Sequence, residues 1–126
     1  MKRKSHLRRL SNRLLHLLAR FSPGATTVRP FLHRLRGVRI RGRVFISDEV
    51  YIENEYPECV EIHDDVQIGI RVIIMAHTRG PGKVLIERSA YVGPNSVVLG
   101  HPGRTLTLGE GSVVAAASVV TSNLPA

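Results

Sequence analysis

The chain has 126 residues, 18 Lys or Arg against 10 Asp or Glu for a formal charge of +8, and one cysteine. That length supports a single domain with a modest core and leaves no room for a second catalytic domain. Cys59 alone excludes an internal disulfide framework, no Cys/His cluster has zinc-site spacing, and no apolar run approaches the roughly eighteen residues of a membrane span, so a cytoplasmic protein is expected.

The charge is unevenly spread. Thirteen of the 18 basic residues lie in positions 1–43, and the first acid is Asp48. Residues 1–36 read as a basic amphipathic helix with a linker. Leu7, Leu10, Leu14, Leu17, Leu18 and Phe21 recur at helical spacing, Arg9, Arg13, His16 and Arg20 take the other side, and Pro23-Gly24 ends the segment. Two roles fit this arm. It can lie through residues 1–22 on an anionic membrane at the inner face, or it can pack its leucines on the open end of the next domain. Nucleic acid is not an expected partner, because the arm lacks interleaved aromatics and the rest of the chain is net acidic.

From residue 37 to 126 the chain repeats every six residues. Aliphatic side chains fall at Ile40, Ile46 and Ile52, at Ile62, Ile68 and Ile74, at Ile86, Val92 and Val98, and at Leu108, Val114 and Val120. Four residues after the first two members of each trio stand small or β-branched residues: Val44, Val50, Val66, Val72, Ala90, Ser96, Ser112 and Ser118. Amphipathic hairpins would reset this phase at every turn, whereas here it runs through three hexads, pauses and resumes. The pattern predicts a parallel β-helix of about four triangular coils with the aliphatic positions stacked inside. In "IGIRVI", "VGPNSV" and "LGEGSV" a glycine directly follows the aliphatic residue, where unusual backbone angles are expected.

Three insertions, "NEYPEC", "MAHTRGPGK" and "LGHPGRT", each follow the third hexad of a coil and so share one edge of the prism. The longest carries His77. A lone histidine in a polar loop is ordinarily a turn residue, and spacing alone leaves it so.

These segments resemble the hexapeptide-repeat acyltransferases, particularly sugar and polysaccharide O-acetyltransferases of the maltose, colanic acid and exopolysaccharide type. The resemblance covers about Gly37 to Leu124, through "YPECVEIHDDVQIGIRVIIMAH", "VLIERSAYVGPNSVVL" and "LGEGSVVAAASVVTSNLP". It implies a left-handed coil, a homotrimer, acetyl-CoA as acyl donor, and a glycan or small-molecule hydroxyl as acceptor. His77 matches the family's catalytic histidine and would act as general base, its tautomer fixed by a carboxylate such as Glu55 or Glu58. Tyr91, Gly93 and Ala115, Ala116 and Ala117 match segments that contact coenzyme A, with Lys83, Arg88 and Arg104 available for its phosphates. Asn54, Glu55 and His101 are the acceptor-side candidates, whereas His63 and Cys59 read as structural. The sequence departs from the family at Ser122 and Asn123, where Lys-Asp is usual. That departure favours the alternative of a catalytically silent scaffold or assembly subunit. A γ-type carbonic anhydrase, which shares the fold, would need three zinc histidines; His77 and His101 are 24 residues apart without a His-x-x-x-x-His pair, and no metal is expected.

Overall fold

The structure, a computed structural model, describes residues 4–126. Two helices, α1 (His6–Phe21) and α2 (Val28–Arg36), precede twelve short strands. The first coil holds β1 (Arg39–Ile40), β2 (Phe45–Ile46) and β3 (Tyr51–Ile52), and a 3-10 turn at Pro57–Cys59 leads to the second coil of β4 (Val60–Ile62), β5 (Gln67–Ile68) and β6 (Ile73–Met75). The third coil holds β7 (Lys83–Ile86), β8 (Tyr91–Val92) and β9 (Val97–Leu99), and the fourth β10 (Thr105–Leu108), β11 (Val113–Val114) and β12 (Val119–Val120). Every third strand pairs in parallel, giving three four-stranded sheets ordered β1-β4-β7-β10, β2-β5-β8-β11 and β3-β6-β9-β12. This is a parallel β-helix of four coils, as the hexads require.

Register carries the hexad into space. Ile40, Ile62, Ile86 and Leu108 stand in one column, Ile46, Ile68, Val92 and Val114 in the second, and Ile52, Ile74, Val98 and Val120 in the third. Most of these side chains are wholly buried. Each buried aliphatic contributes about 1.5–3 kcal/mol relative to an exposed one, so the stacked columns dominate stability.

The corners correct the glycine expectation. Left-handed backbone angles fall three residues after the inward aliphatic, at Asp65, Ser89 and Gly111 on one edge and at Glu49, Arg71, Asn95 and Ala117 on the next. Gly69, Gly93 and Gly109, which directly follow the aliphatic, have no such angle. They are small for another reason: a Cβ on Gly69 would lie 2.7 Å from the Pro94 nitrogen, and one on Gly93 would lie 2.6 Å from the Ala116 nitrogen. Stacked corners approach too closely there for a side chain.

The N-terminal segment departs from expectation twice. The stretch read as a linker contains α2, which tolerates Pro30 in its first turn, where a backbone N–H has no helical partner, and stops at Gly37 with φ of 118°. The second departure concerns only the alternative in which the arm packs its leucines on the open end. The helices do cover the first coil, but with their polar faces: Asn12, His16, Arg29, His33 and Arg36 are buried, while Leu7, Leu10, Leu14, Leu17, Leu18 and Phe21 are exposed. The reason lies in the open end of the β-helix, whose terminal strands present unpaired backbone groups that leucine cannot satisfy. Arg34 donates to the carbonyl of Ile40, Arg29 to that of Ile46, and Arg36 to those of Ile52 and Glu53. His16 Nε2 accepts the Ile52 N–H at 3.2 Å, and the Ala25 carbonyl accepts that of Ile46 at 2.9 Å. Among the described residues, no helix is long and apolar enough to cross a membrane.

Candidate functional site

The three insertions stack along the edge between the third and first sheets. His77 follows β6, and its neighbours are fixed from the coil on each side. Below it lies Glu53, the residue after β3, whose side chain is wholly buried. Its Oε1 accepts the N–H groups of Ala76 at 2.8 Å and His77 at 3.1 Å, and its Oε2 accepts those of Glu55 and Tyr56, each at 3.0 Å. The same Oε2 lies 2.6 Å from His77 Nδ1. Burial pushes the Glu53 carboxyl up, but the N–H groups of Tyr56, His77 and Ala76, with the charge of His77, outweigh it and hold the pKa below its ordinary value. Glu53 is therefore an ionised acceptor.

An ionised acceptor at Nδ1 assigns the proton to that nitrogen, so neutral His77 presents its lone pair at Nε2. About a third of the side chain is exposed, and among the described residues Nε2 has no hydrogen-bond partner. Tyr56 holds the ring from the side, edge-on at 5.2 Å between centroids. Above, Thr78 Oγ1 donates to the Gly100 carbonyl, and the Gly103 N–H reaches the Pro81 carbonyl at 2.9 Å, which ties the loop to the next insertion. Chemically, this is an oriented base with a buried anion behind it.

Glu53 is the residue that sequence reasoning missed. The carboxylates proposed for the role are engaged elsewhere: Glu55 pairs with Arg9 at 3.1 Å and Arg13 at 3.8 Å, and Glu58 pairs with Lys4 at 2.8 Å. Glu55 thus fastens α1 to the first insertion, and Glu58 fastens the residue just ahead of the helix cap. The signal that finds Glu53 is the register Ile52 to Ile74, which places Glu53 level with Met75, two residues before His77.

The other sequence candidates fall in different places. Asn54 adjoins the site in sequence, yet its Oδ1 receives His16 Nδ1 at 3.1 Å and its carbonyl receives Asn12, so it serves as a strut to α1. His101 lies on the same edge one coil higher, where its Nε2 meets the Thr121 carbonyl and it lines a cleft of about 470 Å³ with Arg104, Thr105, Ser122 and Asn123. Lys83 and Arg104 line an adjoining cleft of about 280 Å³. Tyr91 points outward from the second sheet, and Gly93 with Ala115, Ala116 and Ala117 forms the corner between the second and third sheets. One chain thus separates these five residues from His77 by a face of the prism. Arg88 pairs with Glu110 at 2.9 Å, away from both clefts. His63 pairs with Glu61 at 2.6 Å, and Cys59 is buried, which pushes its thiol pKa up.

The chain matches no family model, no curated protein and no solved structure.

Proposed function

We propose that the protein is a CoA-dependent O-acyltransferase that moves an acetyl group to a hydroxyl of a sugar or glycan precursor, with His77 as general base. The observation that carries this reading is the pairing of buried, ionised Glu53 with His77, which leaves Nε2 free on an edge built from three stacked loops. In the reaction, Nε2 takes the acceptor's hydroxyl proton as its oxygen attacks the thioester carbonyl. The tetrahedral intermediate collapses with cleavage of the C–S bond, and the departing thiolate recovers the proton from the imidazolium. Glu53 stabilises that imidazolium and holds the ring in one tautomer.

Acetyl-CoA enters as a substrate. Lys83 and Arg104 supply cations for its phosphates along the clefts above His77. The family resemblance assigns Tyr91, Gly93 and Ala115–Ala117 to the pantetheine arm, and these residues reach a His77 edge only from a neighbouring copy. A homotrimer meets that requirement. Outward apolar side chains on the second and third sheets, Phe45, Tyr91 and Val113 on one and Ile73 and Val119 on the other, supply its contact surface. A cytoplasmic setting suits the cofactor and the lone thiol.

The test is incubation of the chain with acetyl-CoA and a panel of sugars and amines, followed by free thiol release, with His77→Ala in parallel. Acceptor-dependent release that His77→Ala abolishes supports the reading. An unchanged rate in that variant overturns the mechanism. If neither turnover nor thermal stabilisation by acetyl-CoA or CoA is found, the scaffold reading takes its place.

A further inference from the structure

The outer surface of the two helices is a separate feature. On α1, Leu7, Leu10, Leu14, Leu17, Leu18 and Phe21 are each at least half exposed, and on α2 Phe31 and Leu35 are as well, with Val28 at 41%. Amphipathic helices normally bury that face. Here the opposite face is committed: Asn12, His16, Arg29 and Arg36 hold the open strand ends, so neither helix can turn its leucines inward without orphaning those backbone groups. Both helices therefore turn an apolar stripe outward, and nine exposed large apolar side chains on two packed helices exceed the scattered exposure usual for a protein surface.

The charge around this stripe identifies what covers it. Arg8, Arg13 and Arg34 are exposed on the helices and Arg39, Arg41 and Arg43 on the adjoining first coil, Arg13 and Arg41 each with a carboxylate partner. The acids nearest the helices are each matched by a basic residue of the chain, Glu55 by Arg9 and Arg13, Glu58 by Lys4, Asp48 by Arg29 and Glu49 by Arg71. A second copy set face to face would bring two arginine rims together. An anionic bilayer meets both features at once, with acyl chains for the leucines and phosphates for the arginines.

We propose that α1 and α2 form a docking surface for anionic phospholipid, on which the β-helix stands with its first coil nearest the bilayer. Residues 4–22 of the expected membrane segment contribute α1; residues 1–3 lie outside the described residues, and α2 extends the surface beyond that segment.

The test is sedimentation of the full chain with vesicles of phosphatidylcholine alone and of phosphatidylcholine with phosphatidylglycerol. Binding is expected to the anionic vesicles, to fall by about fivefold for each arginine contact screened as salt is raised, and to be at least tenfold weaker to neutral vesicles. Leu14→Gln with Leu18→Gln changes exposed positions to another good helix former, so the thermal melt should stay unchanged while vesicle binding drops by tenfold or more. No binding to anionic vesicles overturns the proposal, as does equal binding by the folded double variant. A concentration-dependent dimer that the double variant dissociates, without vesicle binding, assigns the surface to a second copy instead. These readouts do not involve acetyl-CoA and are independent of the proposed catalysis.

Discussion

The Glu53 carboxylate, wholly buried, stands 2.6 Å from Nδ1 of His77 and accepts four backbone N–H groups that shape the loops around it. One side chain thus sets both the conformation of the edge and the tautomer of its histidine. Glu53→Gln should separate these roles. The amide still accepts through one oxygen but offers an NH2 where Nδ1–H needs an acceptor, so the proposed acyl transfer should fall by about 10² or more, toward the loss from removing the base itself. Glu53→Ala should also unfold more readily, by about 3 kcal/mol or more, because several buried donors lose their partner. Rates from thiol release and midpoints from urea denaturation check the two effects separately.

Acid should loosen the helices before it reaches the β-helix. Burial, reinforced by Arg36, lowers the pKa of His16 from 6.5 to about 4, and burial with Arg36 and His16 holds that of His33 well below its ordinary value. Geometry agrees: His16 Nε2 accepts the Ile52 N–H, and His33 Nδ1 accepts Arg36 Nε at 3.1 Å, so a proton on either nitrogen displaces a bond. The unfolded chain takes up these protons first. Stability is therefore full above about pH 6.5 and declines as pH falls toward 4, by about 3 kcal/mol for His16 alone. Glu53, lowered in the fold, adds a loss in the same direction below its ordinary value of 4.5. The melting temperature measured between pH 7 and 4 should drop, and His16→Gln should flatten the upper part of that curve. Parallel curves would remove His16 from the account.

What the sequence disclosed follows from what repeats. Twelve inward aliphatics reveal a coil because each repeats a physical environment, and the insertion edge follows from counting. Glu53 was hidden because its equivalents after the inward residue, such as His63 and Glu87, remain partly exposed; only the folding of the first insertion over Glu53 buries it. The helix orientation was hidden for a related reason. Amphipathicity assumes that the core wants apolar contacts, but the end of a β-helix offers unpaired carbonyls, and Arg29 and Arg36 answer those better than leucine does. The glycine positions are ambiguous in sequence because a small residue at a corner signals either a left-handed angle or a close approach, and composition does not distinguish them.

Gly93 and Asn95 make that last distinction measurable. Gly93→Ala places a methyl 2.6 Å from the Ala116 nitrogen and should destabilise the protein by about 1–3 kcal/mol, since two stacked corners must part. Asn95 has φ of 61°, so Asn95→Gly relieves a left-handed residue at the expense of chain entropy and should change stability by less than about 1 kcal/mol. Denaturation midpoints of the two variants should therefore differ clearly. Equal effects would mean that the stacked corners part around the added methyl without cost, and that close approach does not govern the glycine at position 93.

Arg36 joins the helices to the candidate site and gives the sharpest test of their union. Its guanidinium is almost wholly buried and donates to the carbonyls of Ile52 and Glu53, to Asn12 Oδ1 at 2.9 Å and to His33 Nδ1. Burial lowers its pKa to about 10, partly offset by the charge of Glu53, so it stays cationic at neutral pH. Arg36→Lys keeps the charge but replaces a planar fork by an ammonium that cannot reach four acceptors on two helices and one strand. The variant should fold with stability reduced by about 1–3 kcal/mol, and kcat of the proposed acyl transfer should fall while KM for its proposed donor, acetyl-CoA, holds, because the backbone that carries Glu53 loses its clamp. Arg36→Met, which leaves those acceptors buried without a donor, should lose about 3 kcal/mol or more. A wild-type melt and wild-type kcat in Arg36→Lys would show that the fork does not position Glu53, and that the helices hold to the first coil through their remaining contacts alone.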